Sequence, residues 1–236
     1  MGQNQAEAQL TGTSSPVQIA GTNWRSVANT GAAGGYSGMA TKTDGTLWMW
    51  GSNEGGCLGD NTSIRKSSPV QVPGTTWTDN MQTHHAGGSS AVKTDGTLWM
   101  WGKNSFGQLG QNNTANYSSP IQIPGTDWAP IYRNNSRSTG DWNVYAKTDG
   151  TLWTMGKNNE GQLGQGTQGS ATYRSSPIQI PGTNWVNAST GYRSTMALKS
   201  DGTLWTWGLN INGVLGVNDN KYRSSPTQLP GTNWTT

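Results

Sequence analysis

The sequence predicts an all-β fold made of four to five similar antiparallel units. Three observations predict it. The phrase "KTDGTLWMWG" stands at Lys42–Gly51 and again at Lys93–Gly102, with near-copies "KTDGTLWTMG" at Lys147–Gly156 and "KSDGTLWTWG" at Lys199–Gly208. The aspartates of these phrases, Asp44, Asp95, Asp149 and Asp201, lie 51, 54 and 52 residues apart. No window shows the 3.6-residue periodicity of a helix. A period of this size fits a blade of a β-propeller or a similar array unit. The fold class is therefore all-β, in ~52-residue, four-stranded antiparallel units that suit a β-propeller or a similar array.

The elements follow in order along each unit. Asp-Gly between two extended runs signals a hairpin, because a type I′ turn needs positive φ at both central positions. The turn predicted at Asp44-Gly45 and its copies is of that type. Trp48 and Trp50 are two residues apart on a strand and share a face, as do Trp99 with Trp101 and Trp205 with Trp207. In the third unit Trp153 is followed by Met155. A Gly/Asn loop comes next, carrying Leu-Gly at Leu58-Gly59, Leu109-Gly110, Leu163-Gly164 and Leu215-Gly216. Then comes Ser-Ser-Pro-x-Gln, with its proline at Pro16, Pro69, Pro120, Pro177 and Pro226. Proline lacks the amide donor, so it belongs at a strand start or a sheet edge. Gly-Thr-x-Trp closes the pattern at Trp24, Trp77, Trp128, Trp185 and Trp234. Twelve of the 13 tryptophans sit at such copied positions, which marks them as packing residues between sheets. A ring of sugar-stacking platforms is the alternative. The whole chain, 1–236, reads as one repeat domain, with units at roughly 12–51, 67–102, 118–156 and 175–208 and a terminal half-unit at 224–234. The chain either closes as a small ring or forms an arc that closes with another subunit. Bare strand edges favour such pairing.

The phrases together, "ALKSDGTLWTWGLNINGVLG" above all, resemble the regulator-of-chromosome-condensation repeat family in its bacterial and phage wording. The resemblance rests on the Asp-Gly turn, the Trp-Gly after the next strand and the Gly-x-Leu-Gly loops at Gly56–Gly59, Gly107–Gly110, Gly161–Gly164 and Gly213–Gly216. It implies a β-propeller, typically of seven blades. It also implies roles ranging over nucleotide-exchange factors, inhibitors, sensors and scaffolds. Nuclear members usually carry a His before the hairpin, where this chain has Ser37, Gly88, Trp142 and Ser194. No catalytic residue carries over.

Composition narrows the function. Charged residues are 11% of the chain and the formal net charge is +3. The basic residues are scattered, without the clustered stripe of a nucleic-acid surface. No run reaches the ~20 apolar residues of a membrane span, and the first residues lack the basic and apolar regions of a secretory signal. Cys57 is the single cysteine. His84-His85 point to opposite faces of a strand and make a poor metal pair. Asp60 and Asp219 lack calcium-loop spacing. No nucleophile elbow or phosphate loop is present, so neither enzyme nor cofactor is expected. Function is expected where the copying fails. The stretch "APIYRNNSRSTGDWNVY" carries Tyr132, Arg133, Arg137, Asp141 and Trp142, and Trp142 is the uncopied tryptophan. Tyr, Trp and Arg dominate binding hot spots, so these five form the expected binding patch. The other reading of Trp142 is that it fills space left by Met155. The polar loop Gln165–Arg174 flanks the patch. The expected function is a non-enzymatic binding or structural propeller. A phage virion or adhesion protein contacting protein partners or surface glycans fits the wording, at a virion or extracellular surface. A lectin and an intracellular regulator of a GTPase are the alternatives.

Overall fold

The computed structural model describes residues 15–29, 36–84, 87–128 and 141–235. Four blades form. The first is β1 (Trp24–Asn29), β2 (Ser37–Lys42), β3 (Leu47–Gly51) and β4 (Lys66–Val72), hydrogen-bonded in that order. The second is β5 (Trp77–His84), β6 (Gly88–Lys93), β7 (Leu98–Gly102) and β8 (Tyr117–Gln122). The third has β9 (Trp142–Ala146), β10 (Leu152–Gly156) and β11 (Arg174–Gln179), with a single bridge from Trp128 to Lys147 where the other blades have a first strand. The fourth is β12 (Trp185–Thr190), β13 (Ser194–Lys199), β14 (Leu204–Gly208) and β15 (Arg223–Gln228). All pairs are antiparallel. The sheets divide the chain differently from the sequence units. Each Ser-Ser-Pro strand pairs with the hairpin before it, as Gln71 pairs with Trp48. It is the blade's outermost strand, where a proline costs no ladder bond.

The hairpin turn corrects the sequence expectation. Gly45 has φ +78°, but Asp44 is not left-handed. The Gly45 N–H bonds the Lys42 carbonyl at 3.0 Å, which closes an ordinary turn before the left-handed glycine. Asp44 is held there by its own side chain. Its Oδ1 accepts from the Thr46 backbone N–H at 2.9 Å and the Thr46 hydroxyl at 2.6 Å. Trp48 Nε1 then donates to Thr46 Oγ1 at 2.8 Å. The same three bonds recur at Asp95, Asp149 and Asp201. They hold these carboxyls below their ordinary pKa. Asp-Gly thus specifies the turn through a carboxylate, with positive φ at one position only.

Alternation along the third strand decides how blades stack. Leu47 and Met49 face the next blade, where they pack with Val72 against Trp77, Met81 and Trp101. Trp48 and Trp50 face the other way and meet Trp24 edge-on, with centroids 6.3 Å apart in both pairs. The copied tryptophans therefore fill the space between blades. Trp77, Trp101, Trp128, Trp185 and Trp207 are all at most 3% exposed, which leaves those rings no face for a sugar.

A backbone latch joins successive blades. The Cys57 carbonyl accepts from Trp101 Nε1 at 2.9 Å and Ser89 Oγ at 2.8 Å. The Gln162 carbonyl accepts from Trp207 Nε1 at 2.9 Å and Thr195 Oγ1 at 3.2 Å. At the middle joint Met155 cannot donate, and Asn143 Nδ2 reaches the Gln108 carbonyl at 2.9 Å instead. The Gly-x-Leu-Gly loops that present these carbonyls are each pinned by a buried asparagine. Asn53, Asn104, Asn158 and Asn210 accept from the N–H of Leu58, Leu109, Leu163 and Leu215 at 2.9, 2.9, 3.0 and 2.9 Å.

His84 sits between the second and third blades. Its Nε2 lies 3.2 Å from Ser90 Oγ and 3.4 Å from Tyr145 Oη. Burial pushes its pKa down to about 4, against ~6.5 in an unfolded chain. The folded state therefore holds the neutral ring while the unfolded chain takes up a proton. Stability from this group is complete above pH ~6.5 and is lost as pH falls towards about 4. We expect a loss of about 2 to 3 kcal/mol across that window. His84→Gln should flatten the urea-denaturation midpoint between pH 6.5 and 4. An unchanged slope would refute the assignment.

Candidate functional site

The two rims of the blades differ in kind. One rim carries the Asp-Gly hairpin tips and the Gly-Thr-x-Trp turns. There Lys42 Nζ lies 4.8 Å from the Trp24 ring and 4.3 Å from the Trp48 ring, and Lys93, Lys147 and Lys199 repeat the arrangement. Every blade copies this rim, so it serves the fold.

The opposite rim is not copied. It is built where the loop before each second strand meets the loop after each third strand. The carbonyls of Tyr36, Gly87, Asp141 and Arg193 accept there from the N–H of Ser52, Lys103, Lys157 and Leu209 at 2.8 to 2.9 Å. A common backbone frame thus holds side chains that differ from blade to blade.

Across the second, third and fourth blades those side chains form two groups, one joining the second blade to the third and one joining the third to the fourth. Lys157 Nζ donates to Asp141 Oδ2 at 3.1 Å and sits 4.5 Å from the Phe106 ring. Phe106 meets Tyr173 edge-on, with centroids 5.7 Å apart. Tyr173 Oη donates to Asn159 Oδ1 at 2.7 Å. Next to Asn159, buried Glu160 accepts from Arg193 Nη1 at 2.9 Å, and Arg193 lies 5.1 Å from the Tyr192 ring. Tyr192 is 60% exposed. The result is a half-exposed aromatic surface with fixed charges of both signs. It suits recognition of another surface, where Tyr and Arg anchors contribute most. It contains no paired nucleophile and base.

The expected patch divides on this frame. Tyr132, Arg133 and Arg137 lie outside the described residues. Asp141 belongs to the cluster through Lys157. Trp142 is 0% exposed and packs in the core with Val144, Met155 and Leu163. It pairs across the sheet with Gly156, the place of Ser37, Gly88 and Ser194 in the other blades. Its ring packs there and gives a partner no surface. Sequence reading missed Phe106, Lys157, Tyr173, Tyr192 and Arg193. Phe106, Tyr192 and Arg193 carry the signal applied to Trp142, since each differs from its counterparts in the repeat; Lys157 and Tyr173 do not, because Lys103 and Tyr222 hold the same places in other units.

The other candidates resolve plainly. His85 lies outside the described residues. Asp60 holds Thr62 and Lys66, and the Arg223 hydrogen bond keeps the Asp219 carboxyl below its ordinary pKa. Among the described residues no group of three or more His, Cys, Asp or Glu could hold a metal ion. Burial pushes the Cys57 thiol up to about 11, so it is an inert packing group. Among the described residues no helix is long and apolar enough to cross a membrane.

Four stretches, residues 44–92, 95–130, 149–198 and 201–235, match the model of the regulator of chromosome condensation (RCC1) repeat. The zebrafish (Danio rerio) protein RCC2 homolog is 33% identical over 173 residues, covering 73% of this chain and 32% of its own length. The Arabidopsis thaliana ultraviolet-B receptor UVR8 is 28% identical over 192 residues, covering 80% of this chain and 43% of its own. Among solved structures, Prp20p from Saccharomyces cerevisiae superposes with a TM-score of 0.72 at 16% identity, covering 91% of this chain and 52% of Prp20p. This chain thus spans about a third to a half of these relatives. Prp20p is described as binding Gsp1p and histones. These relatives correct the expected setting. The family takes its name from a regulator of chromosome condensation, a process inside the cell, against the expected virion or extracellular surface. They lend no support to a phage, adhesion or glycan-binding role.

Proposed function

The chain belongs to the regulator of chromosome condensation repeat family, and on that premise we propose that it is a protein-binding regulator working inside the cell. Its partner docks on the uncopied rim, and the partner class is a small GTPase. The observation that carries the reading is the split between the rims. One is copied in every blade, and the other carries the connected Asp141, Lys157, Phe106 and Tyr173 cluster and, beside it in sequence, the Glu160 and Arg193 ion pair. The family's exchange factors and the binding of Gsp1p by Prp20p support the GTPase class. The chain contributes shape and charge rather than a reacting group.

The test uses a panel of small GTPases loaded with fluorescent GDP. One member should form a complex with the full chain and release its nucleotide faster. Tyr192→Ala and Lys157→Ala should each weaken that complex about tenfold, since interface anchors are worth on the order of 1–2 kcal/mol each. Thr43→Glu, on the copied rim, should leave it unchanged. Failure to bind any member would overturn the GTPase class. Equal loss from Thr43→Glu would overturn the choice of rim.

A further inference from the structure

The three internal joints obey one rule, and the outer faces of the first and fourth blades are the two halves of that rule. On the face turned to the preceding blade, Met81 and Ala188 are 7% and 3% exposed, while Val27 in the same register of the first blade is 77% exposed. On the face turned to the following blade, Met39, opposite Met49, is 0% exposed, while Met196, opposite Thr206, is 42% exposed. The latch residues repeat the contrast. Cys57, whose carbonyl receives the next blade, is 3% exposed, and its counterpart Val214 is 51% exposed. Trp101 and Trp207 are 0% exposed, and Trp50 is half-buried.

We propose that these two end faces join head to tail between two copies of this chain. The occupant follows from the repeat. The first blade presents Lys42–Gly51, identical in sequence to the Lys93–Gly102 segment that the second blade packs against the first. The fourth blade presents the Gly213–Gly216 loop, held by Asn210 as the latching loops are held. The fold therefore already contains this joint three times. The Val214 carbonyl of one copy receives the Trp50 indole N–H of the other, and Val27 covers the cleft lined by Met196, Leu198 and Leu204. Gly38 stands where Ser89, Asn143 and Thr195 donate, so this joint has one side-chain donor, as the middle joint has, against two at each of the other internal joints. Trp234 fills the place that Trp24 of the other copy would take, so the joint forms with Trp234 displaced. Its N–H bonds the Gly202 carbonyl at 3.2 Å, as Trp77 and Trp185 bond Gly45 and Gly150 at 3.0 Å. Such a contact uses different surfaces on the two copies, and it closes when the rotation returns to the start. One chain covers 52% of Prp20p, so two chains supply about one full circuit.

The test is mass by light scattering over a concentration series. The wild-type chain should approach twice its 25.1 kDa mass. Val27→Asp alters one face and Met196→Asp the other. Each alone should stay monomeric, with an unchanged circular-dichroism spectrum. Mixed together, they should form a dimer, because each retains the face that the other lacks. That recovery separates a head-to-tail joint from a symmetric one. Three results would overturn the proposal: a wild-type monomer at every concentration, a mixture that stays monomeric, or a dimer sensitive to only one substitution. The first would leave both faces to further blades of a longer polypeptide.

Discussion

Replacing Trp207 by alanine is expected to lower stability by about 3–5 kcal/mol, read as a shift in the urea midpoint at constant slope. The ring is 0% exposed and lies in the core shared by the third and fourth blades. Its removal opens a cavity between two sheets that cannot slide together, because the latches on either side hold them. It also removes the 2.9 Å bond to the Gln162 carbonyl. The same residue type at the same register gives the control. Among the described residues no blade precedes the one that carries Trp50, and Trp50→Ala should cost the monomer about 1 kcal/mol. Similar losses at the two positions would show that the stacking between blades does not carry this stability.

Asn104→Ala is expected to cost about 3 kcal/mol, because it strands the buried Leu109 N–H and two part-buried carbonyls at once. Asn104 is 0% exposed. Its Oδ1 accepts from Leu109 N–H at 2.9 Å, and its Nδ2 donates to the Asn113 and Ala115 carbonyls at 3.0 and 2.9 Å. Asn104→Asp keeps the acceptor but loses both donor bonds and adds a charge to a dry site. It should be at least as destabilising. Amide-exchange protection at Leu109 should fall in both variants. Protection equal to wild type would refute the role.

The sequence carried the fold because the repeat oversampled it. Trp48 and Trp50 could be placed on one face from their spacing alone, and Asp44-Gly45 located the hairpin tip. It did not carry the turn geometry, since Asp44 acts through a carboxylate bond to Thr46 and leaves its own φ ordinary. Nor did it carry the role of the pinning asparagines, because their partners lie 9 to 14 residues further along a variable loop. Subtracting the repeat pointed to the third blade and left Trp142 with two readings, binding or filling, and its full burial beside Met155 supports filling. A first residue of an inner strand can break the pattern either to bind or to fill, and only its depth decides. The Lys157 and Phe106 contact was illegible for a different reason: it joins loops of two blades, and the spacing within one unit does not show it. The wording of the copied segments reflects how blades pack, which says nothing of where the protein works.

The interblade latch has one further consequence. Its acceptor is a main-chain carbonyl, offered in turn by Cys57, Gln108 and Gln162, whose own side chains take no part in the bond. One donor too is interchangeable, since serine, asparagine and threonine serve at the same register in the three joints. A neighbour is therefore recognised without reading its side-chain identity. Gene duplication could add or delete a blade, and each new copy would arrive already able to dock. The near-identity of the four phrases is what recent copying under so permissive a rule would leave behind.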